Sequence, residues 1–336
     1  MSSGTTSDRS VPRLTSPVTL RFKADWGQAN LTRIAGWLNQ EIGDRAPAGS
    51  AFSIHAGRGG VDAVDALAAG EVDVAMVTPA LMARLARDGS AGRPAAPWLR
   101  ALGTITHRDR LVVAVDAELP VMTVADFAAA ASQLVIATSQ DDGVNAIGMV
   151  AHRGMRLAGA DPAQLVRDGA RFVYDERPFP LVDAFAAGRV NVVIQEAIMM
   201  PIWQRIADRR PVRYVEWGDA VLDGFAEIGW PSAVVEQGYL PTLDRDLRTL
   251  EFADFILLCR DDLDPDVAYL VAWCMVKTRL ALEGQYRHMP EHYTPVSYPL
   301  DPARMRDTVI PLHDDARRAY DDLEGEGPIT EGLLWS

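Results

Sequence analysis

Short apolar runs alternate with longer stretches of helical period along most of this chain. A strand is predicted over about residues 18–23, containing Leu20-Arg21-Phe22-Lys23, and an amphipathic helix over about 29–42. A second strand, Phe52-Ser53-Ile54-His55, runs into the glycine turn Gly57-Arg58-Gly59-Gly60. A helix over 61–69 and a strand over 72–77 follow, and Thr78-Pro79 opens another helix, proline being favourable in a first turn. Leu102–Thr106 and Leu111–Val115 read as strands. So does Leu134-Val135-Ile136-Ala137, which leads through Asp141-Asp142-Gly143 into a long helix. Phe255–Leu258 reads as a late strand, and a helix over 264–282 starts at Asp264-Pro265-Asp266.

The pattern repeats. Val64-Asp65-Ala66-Leu67-Ala68-Ala69-Gly70-Glu71-Val72-Asp73-Val74 and Val182-Asp183-Ala184-Phe185-Ala186-Ala187-Gly188-Arg189-Val190-Asn191-Val192 agree at eight of eleven positions. In each copy the order is strand, polar turn, helix, strand, helix, strand. Two copies of one α/β unit predict two lobes with largely parallel sheets and a cleft between them, the usual place for a small ligand. The expected division is a disordered leader over 1–16, lobe one from 17–112 plus 214–322, lobe two over 113–213, and a mobile tail over 323–336. Leu102–Thr106 and Leu111–Val115 would carry the chain across to lobe two, and Arg213–Val215 would bring it back. Two crossings make a hinge.

The chain's 336 residues exceed what one compact core usually holds, in keeping with two lobes. The net charge of −13, with no cluster of Lys and Arg, argues against a nucleic-acid partner. No apolar run approaches the roughly 20 residues of a membrane span, so no membrane insertion is expected. The opening Met1-Ser2-Ser3-Gly4-Thr5-Thr6-Ser7-Asp8-Arg9-Ser10 lacks the apolar core of a secretory signal, which as written implies a cytoplasmic protein. Cys259 and Cys274, the two cysteines, lie in apolar runs and read as buried thiols. With no zinc spacing, no metal and no cofactor are expected.

Taken together, the segments Gly57-Arg58-Gly59-Gly60-Val61-Asp62, Ala69-Gly70-Glu71-Val72-Asp73-Val74-Ala75, Asp142-Gly143-Val144-Asn145 and Asp262-Leu263-Asp264-Pro265-Asp266-Val267-Ala268-Tyr269 resemble the TAXI class of TRAP-transporter solute receptors. The resemblance runs from about Val18 to Asp322 and rests on the order and spacing of these segments. It implies the two-lobed type II periplasmic-binding-protein-like fold, with a hinge and an interlobe cleft. It also implies a transporter partner and an extracytoplasmic setting. The departures are specific. Where the family carries Thr-Gly-Gly-Ser and Gly-Ser-Gly-Thr, this chain has Gly57 to Gly60 and Asp141 to Val144, so ligand-facing hydroxyls become Gly60, Asp142 and Val144.

Three turns are expected to converge on the cleft: Lys23-Ala24-Asp25-Trp26-Gly27-Gln28, Gly57 to Gly60, and Ser139-Gln140-Asp141-Asp142-Gly143. Helix starts after the last two would offer free N–H groups to an anion, with Arg58 as a two-pronged partner for a carboxylate. Asp142 or Asp141 facing the cleft would instead suit an amine, a polyol or a divalent cation, although a capping role is the plainer reading. Trp26 is a stacking wall or a turn anchor. Thr78 and Glu196 end corresponding strands of the two copies, where ligands of α/β sheets bind. Arg177, after Tyr174-Asp175-Glu176, is a clamp or a surface ion-pair partner. The expected ligand-binding set is thus Lys23, Asp25, Trp26, Arg58, Gly59, Gly60, Thr78, Asp142, Gly143, Arg177 and Glu196. His107 reads as a surface hinge residue, His55 as the end of an apolar strand, His288 and His292 as surface residues, and Met199-Met200 as helix core.

No nucleophile motif, phosphate loop or His-Glu-x-x-His is present. The function implied by the repeat, the convergent turns and the TAXI resemblance is hinge closure around a small organic acid or amino acid, with no catalytic residue expected. The alternative is a cytoplasmic enzyme on the same scaffold, such as an aromatic-acid decarboxylase, with His107, Asp142 and Glu196 as its acid–base groups and Arg58 as its clamp.

Overall fold

A computed structural model describes residues 11–27, 29–89, 93–198 and 200–330. Gln28, Met199 and the first ten residues therefore lie outside the described residues, as do the side chains of Met200 and His292.

Two sheets form. The first contains β1 (Thr19–Lys23), β2 (Ala51–His55), β3 (Val74–Val77), β4 (Leu99–Ile105) and β12 (Phe255–Arg260), in the order β2-β1-β3-β12-β4. The second contains β5 (Arg110–Asp116), β6 (Val135–Thr138), β7 (Arg171–Tyr174), β8 (Val192–Glu196), β9 (Val212–Val215), β10 (Ser232–Val235) and β11 (Leu247–Glu251). Its order is β10-β11-β5-β8-β6-β7, with β9 also on β5. This is the expected two-lobed α/β architecture. β3 is buried along its whole length and β8 along all but its last residue, as continuous apolar strands covered on both faces should be.

The repeat survives down to single hydrogen bonds. β1 pairs with β2 and β3 in parallel, and β6 pairs with β7 and β8 in the same way. Gly70 and Gly188 both take positive φ, 66° and 71°, to end their helices. The Asp73 amide donates to the Arg21 carbonyl at 2.9 Å, and the Asp73 carboxylate accepts the Arg21 amide at 2.8 Å. Asn191 does the same with Val135, at 3.0 and 2.8 Å. The Asp-to-Asn change between the copies keeps the accepting oxygen, while Asp73 adds an ion pair to the Arg21 guanidinium and the Asn191 amide nitrogen instead donates to Gln133 O.

The chain crosses between sheets at residues 106–109 and again at 252–254. Arg213–Val215, expected to return to lobe one, instead lies in the second sheet, with Val113 opposite Val215 and Asp116 opposite Val212. Its alternating apolar residues suit either sheet. The hairpin β10–β11 then extends the second lobe, so lobe one resumes only at β12 rather than at residue 214. Packing also extends past the expected lobe limits. Leu14 is buried and its amide donates to Arg45 O, while the Ile329 amide donates to Lys277 O at 2.8 Å. The helix expected over 264–282 breaks at Thr278, whose hydroxyl donates to Cys274 O and accepts from the Trp37 indole. Cys259 and Cys274 are buried and free. Among the described residues no helix is long and apolar enough to cross a membrane.

Candidate functional site

A cavity lies between the lobes, walled by strand ends and helix starts from both. It measures about 70 Å³ as room for the centre of a water-sized sphere, space for a few waters. Lobe one contributes Asp25, Trp26, Asn30, Leu31, Arg58, Gly59, Gly60 and Thr78. Lobe two contributes Asn145, Ala146, Ile147, Glu196 and Ile198, and the crossings supply Asp109 and Phe252.

Of the residues expected from the sequence, Asp25, Trp26, Arg58, Gly59, Gly60, Thr78 and Glu196 meet here. Lys23 does not line the cavity; its ammonium lies 3.6 Å from the Asp62 carboxylate. Asp142 stands on the rim. Gly143 lines a different cavity. Arg177 is exposed, its amide donating to Asp175 at 2.8 Å.

The rim is self-satisfied. The Arg58 guanidinium donates to the carboxylates of both Asp142 and Glu176 across the lobes. Beside it the Val61 amide donates to Val144 O at 3.3 Å. Gly60 permits this approach, because a Cβ there would lie 2.4 Å from Val144 O. Two of the glycine turn's donors are already used: the Arg58 and Gly60 amides bond the Asp62 carboxylate at 3.0 and 3.2 Å. The expected anion cradle is thus filled by a residue two places on. Asp142 accepts the Val144 and Asn145 amides at 2.9 and 3.0 Å, ahead of the helix Ala146–Leu157. These bonds and Arg58 hold its carboxyl below the usual range, burial opposing them. Asn145 caps that helix by accepting from Ile147 and Gly148.

The floor is different. Asp25 is buried but fully employed, accepting from Leu31 N at 2.9 Å, Thr32 Oγ1 at 2.6 Å and Gly27 N at 3.3 Å at the start of the helix Asn30–Gly43. Asp109, 1% exposed, ties the first crossing to lobe two. Its Oδ1 accepts from Arg110 N at 2.7 Å and Ile198 N at 3.0 Å; among the described residues no N–H reaches its Oδ2, and its carboxyl lies within hydrogen-bonding reach of Glu196. Burial, then the charge of Glu196, pushes the Asp109 pKa well up. Glu196, partly buried at the end of β8, is likewise raised by burial and by the charge of Asp25. The Trp26 indole N–H is also buried with no partner.

His107 is a correction. Expected on the surface, it is 3% exposed, because Phe255 packs against its ring at 3.9 Å and its amide donates to Asp254 Oδ1 at 3.1 Å. The Asp109 amide donates to His107 Nδ1, which assigns the ring proton to Nε2, 3.5 Å from Thr78 Oγ1. Burial, then Arg110, lowers its pKa to about 3. It packs against Thr78 and Phe255, both of which line the cavity, but does not itself line it. The trio His107, Asp142 and Glu196 is therefore not brought together. His55, by contrast, is exposed, and bonds Ser53 at 3.1 Å. His288 is exposed as expected.

Sequence reasoning missed Asp109, Asn145, Asn30, Leu31, Ile147, Ile198, Phe252 and Phe255. Asp109 carried a signal, since His107-Arg108-Asp109-Arg110 is the polar interruption between two apolar strands. Asn145 carried another, a cap residue before an apolar helix. The apolar wall residues carried none. Among the described residues no group of three or more His, Cys, Asp or Glu is arranged to hold a metal ion.

The chain is similar at low identity to several solved structures. "Structure of a periplasmic transporter" is 14% identical with a TM-score of 0.48, covering 93% of this chain and 94% of that one. XAC2383 from Xanthomonas citri bound to ATP is 13% identical with a TM-score of 0.47, covering 91% and 99%. The alkanesulfonate-binding protein SsuA from Xanthomonas axonopodis pv. citri bound to MOPS is 15% identical with a TM-score of 0.45, covering 87% and 90%. No curated protein matches the sequence. The profile of one protein family does match, over residues 37–323, and takes in both crossings and every strand but β1: the chain belongs to the NMT1-like family.

Proposed function

We propose that the chain is a solute receptor of the kind the TAXI resemblance implies, closing by hinge motion and handing its ligand to a transporter partner. The observation that carries this reading is the cavity itself, walled by strand ends from both lobes and closed by bonds across them. Within the expected classes, the wall favours an amino acid or other amine over a simple organic acid. Among its described lining residues the guanidinium, Arg58, is already held by two carboxylates, and the Arg58 and Gly60 amides by a third. Among the described residues neither Asp109 nor Glu196 forms an ion pair, although the Arg110 charge acts on Asp109. An ammonium group placed between them would supply the missing donors, with Trp26, Leu31 and Phe252 against the ligand's apolar part.

Thermal unfolding against amino acids, amines, carboxylates without an amine, aromatic acids and divalent cations tests this. A ligand bound only by the folded state raises the midpoint, by about 2.7 kcal/mol of stability at a hundredfold excess over its dissociation constant. Amine-bearing compounds should shift the midpoint and be recovered unchanged. A shift with amine-free carboxylates alone would overturn the ligand class, and consumption of the compound would overturn the receptor reading.

A further inference from the structure

A second cavity joins the lobes on the other side of the Val61–Val144 contact, with Val61 and Gly143 in its wall. By the same measure it holds about 300 Å³, against about 70 Å³ for the first. Met82 and Leu85 come from the helix Leu81–Asp88 of lobe one; Met149 comes from the helix Ala146–Leu157 of lobe two, and Ile228 from the loop after Asp219–Ala226. The charged wall is three arginines and one aspartate. Arg93 bonds Asp65 and Gly143 O, and Arg156 reaches Asp141 at 3.3 Å. Arg153 has no carboxylate partner among the described residues. It makes a long 3.5 Å bond to Gly224 O, lies over the Phe225 ring, and its Nε is buried with no partner.

We infer that this second interlobe cavity binds a small organic anion with an apolar body, its carboxylate on Arg153 and its chain against Met82, Leu85 and Met149. A guanidinium with a spare, desolvated donor beside apolar side chains is suited to that chemistry and to no cation. Such an anion touches both lobes next to the contact that closes the main cleft, so it favours the closed arrangement.

The probes are hexanoate, with hexylammonium and acetate as controls, read by calorimetry and by thermal unfolding on the full chain. Hexanoate should bind and raise the unfolding midpoint, while hexylammonium and acetate should not. Arg153→Met, which keeps the apolar bulk, should weaken hexanoate about tenfold or more. Ile228→Asp, which adds a negative charge at the half-buried wall, should do the same and stands in if Arg153→Met fails to fold. Three results would each overturn the inference: no hexanoate binding, equal binding of hexylammonium, or hexanoate binding unchanged in both Arg153→Met and Ile228→Asp, which would put the anion elsewhere. Failure here leaves the amine reading of the main cleft untouched, because that is read with amines on the unmodified chain.

Discussion

The rim and the floor of the main cleft both carry carboxylates, yet they are in opposite electrostatic condition. At the rim, Asp142 and Glu176 share Arg58, and Asp62 takes the turn amides. These groups keep contact with solvent, so their ion pairs are worth little individually and are screened by salt. At the floor, Asp109 is buried and Glu196 half-buried with no ion pair to either among the described residues, and burial pushes both pKa values up, the nearby Arg110 charge opposing at Asp109. Asp254, at the second crossing, is raised by burial to about 6, the His107 amide opposing. The difference separates two tasks that one motif reading had merged. The rim holds the lobes together, and the floor is where bound chemistry has something to gain.

Four experiments would break or sharpen that contrast. The largest effect belongs to the floor. Glu196→Gln should weaken an amine ligand by about 1.5–3 kcal/mol, roughly 10- to 150-fold in dissociation constant, as titration calorimetry would read it. An unchanged constant would remove Glu196 from the site. The unmodified protein should also bind the amine more tightly as pH rises from about 5 to about 8, releasing protons as the raised carboxyls ionise. A flat profile would mean the pair is not the amine's partner.

Gly60→Ala comes next. Its new Cβ would meet Val144 O, so the closed form should lose about 1–3 kcal/mol. Scattering with saturating ligand should then show a larger radius of gyration than the parent. An equally compact variant would show that the turn yields without parting the lobes.

The ligand-free floor makes a third forecast. A carboxyl whose folded pKa exceeds its unfolded value binds more protons in the native state, so its contribution to stability is lost as pH rises between those values, here about pH 4 to 7. Glu196→Gln removes that penalty. The variant should gain about 1–2 kcal/mol over the parent at pH 8 and almost nothing at pH 5, by urea denaturation. His107, lowered to about 3, works in the opposite direction in both proteins: its neutral native form costs stability as pH falls below about 6.5, which is why the difference between the proteins is the useful quantity.

The rim should give the smallest effect. Arg58→Met should cost about 0.5–1 kcal/mol at low ionic strength and nothing measurable at about 1 M salt. A loss that persists at high salt would make Arg58 a ligand-binding residue rather than a latch.

Much of the architecture was legible because the repeat is carried by local chemistry. A left-handed glycine, an Asp or Asn bonding the neighbouring strand and two apolar strands recur at fixed offsets in Val64–Val74 and Val182–Val192. The point of return was not legible. β9 has the same alternating apolar character whether it leaves a lobe or completes one, and only its partners along β5 decide. Turns placed at strand ends were found from the sequence, as Asp25, Trp26, Gly59, Gly60, Thr78 and Glu196 illustrate. What those turns do was harder. That Asp62 would occupy the glycine turn, or that Phe255 would bury His107, depends on residues that meet only after folding.

The placement of β12 between β3 and β4 has a consequence for synthesis. Residues 110–251 build the second sheet from one unbroken stretch, whereas the first sheet needs a strand made about 150 residues after β4. On the ribosome, the inserted lobe has every strand it needs while the outer lobe still presents the facing edges of β3 and β4 unpaired. Those edges are where another chain's strand would add first. A chain released after a cut between residues 251 and 255 therefore has one finished lobe attached to one aggregation-prone half.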